Sequence, residues 1–166
     1  MLHVIWYLAI AIFAIWALSA FIGVPFLPTH KKQARRAMQL ANVKPGTKVV
    51  DLGSGAGRIV FLAARLGAKA VGYELNPFLT AWSKAVILCT GLTGKAEVHL
   101  KSIYHADVSD TDVVFAFLFP KLMPRVESEI LPKMKPGALF VSYAFPLPNR
   151  KALYIQEGLF VYRIGD

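Results

Sequence analysis

The sequence predicts an α/β protein, in which a mostly parallel sheet ends in an antiparallel hairpin and is preceded by one helix that spans a membrane. Three observations lead to this fold class. Strand-like and helix-like runs alternate from residue 47 to residue 144, which is the pattern of repeated βαβ units. Two extended runs, 152–156 and 159–164, then follow with no helix between them. Residues 2–27 contain no Asp, Glu, Lys or Arg.

The uncharged N-terminal run is long enough to cross a bilayer. At 1.5 Å per residue a helix over residues 2–27 exceeds the ~30 Å hydrocarbon core. A cleavable signal has a shorter apolar run after a cationic start, and no cation precedes this one. We expect residues 1–28 to be a transmembrane anchor that meets the lipid bilayer through residues 2–27 and ends at Pro25 and Pro28. A buried core helix is the alternative.

A basic segment follows the apolar run. It contains four fixed positive charges, at Lys31, Lys32, Arg35 and Arg36. The cytoplasmic flank of a membrane span carries the excess of Lys and Arg, which predicts a single-pass membrane protein with its domain on the cytoplasmic side. The same cations attract anionic headgroups, and a plain topology signal is the alternative. We assign residues 29–46 to this juxtamembrane segment and a linker helix, and residues 47–166 to one domain.

The overall composition narrows the partners. The net charge of +9 suits nucleic acid, but the cations beyond the basic segment form no stripe, so we expect no nucleic acid. Cys89 is the only cysteine, which excludes an intramolecular disulfide and a cysteine-based zinc site. Asp107, Asp110 and Asp112 are close in sequence, yet acids before a strand are most simply a solvated loop, and we predict no metal.

The domain is predicted element by element from hydrophobic periodicity and turn residues. The expected strands are 47–52, 70–74, 96–100, 112–118 and 138–144, and the expected helices are 33–41, 58–66, 77–89 and 124–131. The fourth strand is an almost continuous apolar run, as in parallel strands buried on both faces. Residues 152–156 and 159–164 form the hairpin, joined at Glu157-Gly158.

The first strand leads into a glycine-rich turn, Asp51-Leu52-Gly53-Ser54-Gly55-Ala56-Gly57-Arg58. Glycines at this place let the backbone approach a nucleotide-like ligand. A dinucleotide fingerprint requires glycine where this chain has Arg58, and a phosphate-binding loop requires Lys and Ser or Thr after the glycines. The second strand ends in Glu74, about 20 residues beyond the glycines. A carboxylate at this position typically accepts hydrogen bonds from the hydroxyls of a ribose.

Four stretches carry a family resemblance: Val24–Thr29, Asp51–Val60, Gly72–Pro77 and Phe145–Pro148. They resemble the membrane-anchored class I S-adenosylmethionine-dependent protein-lysine methyltransferases, as prokaryotic relatives of the mitochondrial enzymes that act on the ATP synthase c-subunit and the adenine nucleotide carrier. The resemblance implies a Rossmann-like sheet and the cofactor S-adenosyl-L-methionine. It implies these cofactor-binding residues: Asp51, Gly53, Ser54, Gly55, Gly57, Glu74, Asn76 and Ser102.

The acceptor side of the site is expected to be apolar. Transfer of a methyl group to an amine needs alignment and exclusion of water, and an apolar cleft lowers the pKa of a lysine. We expect this cleft to be lined by Tyr104, Phe117, Phe119 and Tyr143. The fourth strand runs into Phe117-Leu118-Phe119-Pro120 and lacks the Asn-Pro-Pro-Tyr of methyltransferases that act on amide or base nitrogens.

The expected function is methyl transfer to an acceptor at the membrane, most simply a lysine of a membrane-embedded or membrane-adjacent protein. One alternative is a lipid or quinone methyltransferase. Another is a non-catalytic scaffold that binds S-adenosylmethionine or its demethylated product. Two departures from the family pattern favour this last alternative: Ala56 replaces an acid in the glycine turn, and Ser102-Ile103-Tyr104 replaces an Asp-Leu pair after the third strand.

Overall fold

A computed structural model describes residues 28–165 together with His3, Trp6, Tyr7 and Ile10, which are helical. The predicted anchor therefore lies almost wholly outside the described residues. Within the part of the chain that the structure describes, no helix has the length and apolar character that a membrane crossing requires.

Helices and strands alternate along the described chain, as the sequence predicts. In order they are α1 (Lys31–Leu40), β1 (Lys48–Leu52), α2 (Arg58–Arg65), β2 (Lys69–Glu74), α3 (Pro77–Cys89), β3 (Ala96–Leu100), β4 (Val113–Ala116), α4 (Met123–Glu129), β5 (Leu139–Tyr143), β6 (Tyr154–Gln156) and β7 (Leu159–Arg163). Short 3₁₀ turns occur at Ile103–His105, Pro120–Leu122 and Leu131–Lys133.

The described strands form one seven-stranded sheet in the order β3-β2-β1-β4-β5-β7-β6. The strands from β3 to β5 are parallel, whereas β7 is antiparallel to both β5 and β6. The predicted mostly parallel sheet with a C-terminal antiparallel hairpin is therefore confirmed. All five parallel strands end at one edge, the carboxyl edge. The strand order changes direction at β1, because β2 and β3 lie on one side of β1 whereas β4 and β5 lie on the other. Ligands of open α/β sheets bind outside the carboxyl edge at such a point.

Helices cover both faces of the sheet. On one face α1, α2 and α3 share a core with Val49, Val113 and Val141. On the other face α4 and the 3₁₀ turns pack against residues of the alternate set, such as Val50, Val114 and Phe140. Because successive side chains of a strand point to opposite faces, the apolar runs of the central strands supply both cores.

The linker helix is part of this packing. α1 contacts α2 and β7 and buries Ala34, Ala37 and Met38. The Tyr154 hydroxyl donates a hydrogen bond to the carbonyl oxygen of Leu40, at 2.8 Å. The segment between the predicted anchor and the sheet is therefore held rigidly against the domain.

Most predicted elements are one to three residues shorter in the structure than in the sequence analysis, and two of them end near a proline. β4 stops at Ala116 rather than at residue 118, and Pro120 then opens a 3₁₀ turn. The predicted helix 124–131 is Met123–Glu129, because Pro132 lacks an N–H and its ring disfavours continuation of the preceding helix. The chain instead turns through Leu131–Lys133.

Candidate cofactor site

The glycine-rich turn lies at the carboxyl edge between β1 and α2. Gly53, Gly55 and Gly57 have φ angles of +76°, +54° and +81°, a region that side chains rarely adopt. Gly57 is the N-terminal cap of α2. The G-x-G-x-G spacing is thus explained by three left-handed backbone positions within one short loop.

Backbone hydrogen bonds hold this loop against the end of β2. The N–H groups of Gly53 and Ser54 both donate to the carbonyl oxygen of Tyr73, at 2.9 and 3.0 Å. The N–H of Gly55 donates to Oε2 of Glu74 at 2.8 Å, and the N–H of Asn76 donates to Oε1 at 2.8 Å. The Glu74 carboxylate is therefore oriented from both sides by the backbone.

Glu74 retains capacity for a ligand. A carboxylate offers about four lone-pair sites, and the bonds from Gly55 and Asn76 use two of them. Glu74 is half-buried at the strand end. The remaining acceptor sites suit the two hydroxyls of a ribose, and this role of Glu74 stays a prediction.

Asp51 lies in β1 beside this loop and is only 3% exposed. Burial, followed by the charge of Glu74, raises the pKa of Asp51 to about 8. A buried carboxylate next to another carboxylate is stabilised by a cation. An ammonium group beside Asp51 supplies one, as the amino acid end of S-adenosylmethionine does.

The loop also packs tightly on its strand and on α3. A Cβ added to Gly72 in β2 would lie 2.6 Å from Oγ of Ser54. The hydroxyl of Ser83 in α3 donates to the carbonyl oxygen of Gly55 at 3.3 Å. Ser54 Oγ is buried and has no hydrogen-bond partner among the described residues. The sequence analysis predicted Ser54 as a cofactor contact. In the structure its side chain is packed beneath the loop, against Gly72.

Two further predicted cofactor residues lie at the same edge. Asn76 caps α3, where its Oδ1 accepts hydrogen bonds from the N–H groups of Phe78 and Leu79, which leaves its amide NH₂ to face a ligand. Ser102 is half-buried just beyond β3 and precedes the 3₁₀ turn. The contacts of Asn76 and Ser102 with a cofactor remain predictions.

The four predicted cleft residues separate into two groups. Phe117 and Tyr143 follow or end neighbouring strands, with ring centroids 4.8 Å apart. Tyr104 packs on the opposite face of the sheet, where the guanidinium of Arg125 lies 3.8 Å from the ring centroid. Phe119 is half-buried and precedes the 3₁₀ turn after β4. Only Phe117 and Tyr143 are brought together as one aromatic pair.

The chain leaving β4 contacts the glycine loop. A Cβ added to Gly53 would lie 2.9 Å from Cδ2 of Leu118, so Leu118, the residue after Phe117, packs directly over the loop. Leu118 belongs to the core on the other face of the sheet from Phe117 and Tyr143, so the chain beyond β4 contributes side chains to both faces at this edge. This contact has no sequence signal, because it depends on the parallel pairing of β1 with β4.

Sequence reasoning also missed two long-range contacts of the site. Arg58, the first residue of α2, donates a hydrogen bond from Nη1 to the carbonyl oxygen of Thr29. Thr29 is buried, so the chain enters the domain beside the glycine loop. The hydroxyl of Tyr73 accepts a hydrogen bond from the N–H of Asp107 at 3.0 Å and so fixes the segment after β3. No spacing rule reveals either pair.

A separate groove of about 830 Å³ lies at the opposite edge of the sheet. Its lining includes Thr47, Asp112 and Gly137, which precede β1, β4 and β5. Lys135 pairs there with Asp110 and Asp112. The position is unlike that of ligand sites in open α/β sheets. The described residues contain no group of side chains suited to holding a metal ion.

Residues 51–153, more than half of the chain, match the ANTKMT methyltransferase domain family. The chain belongs to this family. It is 31% identical over 153 residues to a protein-lysine N-methyltransferase of Saccharolobus islandicus, covering 86% of this chain and 95% of that protein. It is 34% identical over 128 residues to the ATP synthase c-subunit lysine N-methyltransferase of Mus musculus, covering 77% of this chain but only 51% of the mouse protein.

A solved structure shares both fold and sequence with the chain. It is an RNA methyltransferase from Salinibacter ruber in complex with S-adenosyl-L-homocysteine, with a TM-score of 0.79 and 30% identity over 83% of this chain and 94% of that one. The fold is thus that of a class I methyltransferase, and the cofactor of the family is S-adenosyl-L-methionine. This cofactor fits the glycine loop and Glu74. It also fits Asp51, whose buried carboxylate is stabilised by a cation.

Replacement of Glu74 by Gln is expected to weaken S-adenosylmethionine binding by roughly 10- to 100-fold. A hydrogen bond to a charged group contributes ~1.5–3 kcal/mol, and each 1.4 kcal/mol is about tenfold in affinity. Isothermal titration calorimetry on the full chain in detergent measures the change. Glu97→Gln, at an exposed position of β3, is the matched control. Equal affinities in the two variants would remove Glu74 from the site.

Cofactor binding is expected to release a proton from Asp51 at pH 7. The free protein holds Asp51 protonated below its pKa of about 8, and an ammonium partner lowers that pKa. Affinity therefore rises with pH, by at most about tenfold per unit, and levels off above pH 8. Calorimetry in two buffers of different ionisation enthalpy counts the proton. Asp51→Asn should abolish its release, and an unchanged proton count would contradict this assignment.

The fit between β2 and the loop predicts a suppressor pair. Gly72→Ala places a methyl group against Ser54 and Val60, and overpacking of this kind costs ~1–3 kcal/mol. We expect a lower thermal midpoint and weaker cofactor binding. Ser54→Gly removes the clashing atoms and should restore part of both in the double variant, measured by thermal unfolding with and without S-adenosylmethionine. Additive losses would show that the two sites do not interact.

Proposed function

We propose that the protein transfers a methyl group from S-adenosyl-L-methionine to the side-chain amine of a lysine in a protein at a membrane surface. The observation that carries the proposal is the Glu74-supported glycine loop at the carboxyl edge, the same edge at which Phe117 and Tyr143 pair beyond β4 and at the end of β5. Lysine as the acceptor draws support from relatives named as lysine N-methyltransferases. Since the chain spans 51% and 59% of the mouse and rat enzymes, their substrates are not transferred to it directly.

The aromatic side of the site suits an amine nucleophile. When bound, the cofactor supplies an electrophilic methyl group on a sulfonium. Phe117 and Tyr143 are half-buried, so an alkyl amine that packs against them loses water, which lowers its pKa and favours the neutral nucleophile. Alignment of the amine nitrogen with the methyl group is then the main contribution of the protein. Leu118 lies over Gly53 and connects the two sides of the site.

A membrane location is the second part of the proposal. It rests on the uncharged residues 2–27 and on the cations that follow them, which favour a single span with the domain on the cytoplasmic side. The bond between Arg58 and the carbonyl of Thr29 holds Thr29 at the carboxyl edge. An anchor that leaves there would keep the site near the membrane, where acceptors in membrane proteins reach high local concentration.

RNA is a second candidate acceptor, because the Salinibacter ruber relative of similar length is an RNA methyltransferase. Against it, this chain has Phe117-Leu118-Phe119-Pro120 after β4 and so lacks a side-chain amide there to hold a base nitrogen. The lysine proposal and the RNA candidate therefore differ in the acceptor end of the site, and one assay separates them.

The test is a transfer assay with methyl-labelled S-adenosylmethionine, full-length protein, and either membrane fractions or total RNA of the source cell as acceptor. We expect label in membrane protein, as methyl-lysine identified by peptide mass spectrometry, and an over tenfold loss with Glu74→Gln. Glu97→Gln should keep full activity. Label confined to RNA would replace the lysine proposal with the second candidate. Label extracted with the lipids of the membrane fraction would indicate a lipid or quinone acceptor, and a chain that binds the cofactor but labels neither protein, lipid nor RNA would be a scaffold.

A further inference from the structure

Helix α3 exposes more apolar surface than an ordinary surface helix does. It buries Thr80 and Ser83 together with Ile87 against the domain, while Phe78, Trp82 and Leu88 are 56%, 61% and 73% exposed. A helix on a soluble surface turns its apolar stripe to the core and its polar side to water. The buried side is explained by the hydrogen bond from Ser83 to the glycine loop. The exposed side has no such explanation within the described residues.

The exposed apolar side chains of α3 form one continuous stripe. Phe78 and Trp82 are four residues apart, and Ala81, Ala85 and Leu88 continue the same side at spacings of three or four, so they are neighbours on the helix surface. Contiguous apolar patches of this kind mark sites that bind a partner or a membrane. Cys89, also exposed, ends the stripe.

The neighbouring helices add charge of one sign. α1 contributes four Lys or Arg residues, α2 two and α3 one, and none of these helices contains Asp or Glu. All three pack on the same face of the sheet, so their outer sides form one surface, which we call the helical face. A single ion pair reaches its rim among the described residues, from Lys32 to Glu157 of the hairpin at 2.9 Å.

We propose that the helical face lies on an anionic phospholipid surface, with the α3 stripe in the headgroup layer and the cations of α1 and α2 on lipid phosphates. Trp and other amphipathic or apolar side chains favour the membrane interface, and Lys and Arg beside them favour anionic lipid. Thr29, two residues after the uncharged N-terminal run, is bonded to the first residue of α2 and so lies at this same face. The inference rests on the membrane location proposed above and is independent of the acceptor.

Nucleic acid is the other polyanion to consider. Proteins that bind single strands interleave cations with the aromatic side chains on which bases stack. Here the aromatic stripe occupies α3, whose only cation is Lys84, while the cluster of cations occupies α1. This separation of apolar and cationic zones is that of an interfacial surface. It would also hold the carboxyl edge, with its site, beside the headgroup layer.

Cys89 permits a direct test because it is exposed at the end of the stripe and is the only cysteine of the chain. A nitroxide attached to Cys89 of the full chain reports its collision rates with oxygen and with a water-soluble nickel chelate. The protein is reconstituted into vesicles of phosphatidylcholine alone or of equal parts phosphatidylcholine and phosphatidylglycerol. We expect a several-fold fall in nickel accessibility in the anionic vesicles. Cofactor binding should be the same in both.

Matched variants assign the effect to the helical face. Moving the label to the other face of the sheet, with Cys89→Ser and Ser128→Cys on α4, should leave it fully accessible to nickel. Trp82→Ser should reverse the protection at Cys89, whereas Ile155→Ser, at another exposed apolar site, should not. Unchanged cofactor affinity in Trp82→Ser shows that the domain is folded.

Three outcomes overturn the inference. Vesicle-bound protein whose Cys89 label stays in water in both compositions refutes the helical face and leaves the membrane location standing. Protein that does not float with vesicles at all refutes both. Protection of Cys89 by a single-stranded RNA oligonucleotide, without protection by anionic vesicles, assigns the face to nucleic acid instead.

Discussion

The hydrogen bonds between the glycine loop and the end of β2 are the contacts that hold the site together. Gly53 and Ser54 donate to the carbonyl of Tyr73, and Gly55 donates to the carboxylate of Glu74. The loop can come this close because Gly72 has no side chain to exclude Ser54. The arrangement places Glu74 near buried Asp51, and the proximity helps to raise the pKa of Asp51 to about 8. The two neighbouring carboxyl groups therefore favour a cation at this site.

The carboxyl edge of the sheet combines this cofactor side with an apolar acceptor side. Parallel pairing puts the ends of β4 and β5 beside the loop, so that Leu118 packs on Gly53 and Phe117 meets Tyr143. The charged donor site and the apolar acceptor site that we propose thus lie at the same edge of the sheet. Such a division suits transfer from a sulfonium to an amine, in which the donor loses its charge and the acceptor must arrive without one.

α3 connects the chemistry of the site to the outer surface of the domain. Its inner side includes a polar residue, Ser83, which supports the glycine loop, and its cap Asn76 supports Glu74 through a backbone N–H. Its outer side is apolar because, in our proposal, it meets lipid. One helix would then hold the cofactor loop and fix the height of the site above the bilayer. The acid-free sequences of α1 and α2 extend the same surface.

Local patterns in the chain were sufficient to predict the elements of the domain and the position of the glycine loop and Glu74 at one edge of the sheet. Alternating apolar runs and the glycine turn depend on local backbone chemistry, so β3 was predicted residue for residue at Ala96–Leu100, and Asp51, Gly53 and Glu74 were identified from spacing along adjacent elements. Ends that depend on Pro120 and Pro132 were placed too late, because apolar periodicity continues past the residues where the backbone must turn.

Which distant residues meet was settled by strand order and packing, which no local pattern contains. Strand order brings Leu118 over Gly53 and separates Tyr104 from the pair of Phe117 and Tyr143, since the two faces of a sheet are set by alternation along each strand and by its neighbours. The sequence also could not predict which side of α3 faces the sheet. Its composition is apolar nearly all round, so periodicity leaves its orientation open, and the choice was made by the hydrogen bond that Ser83 forms with Gly55.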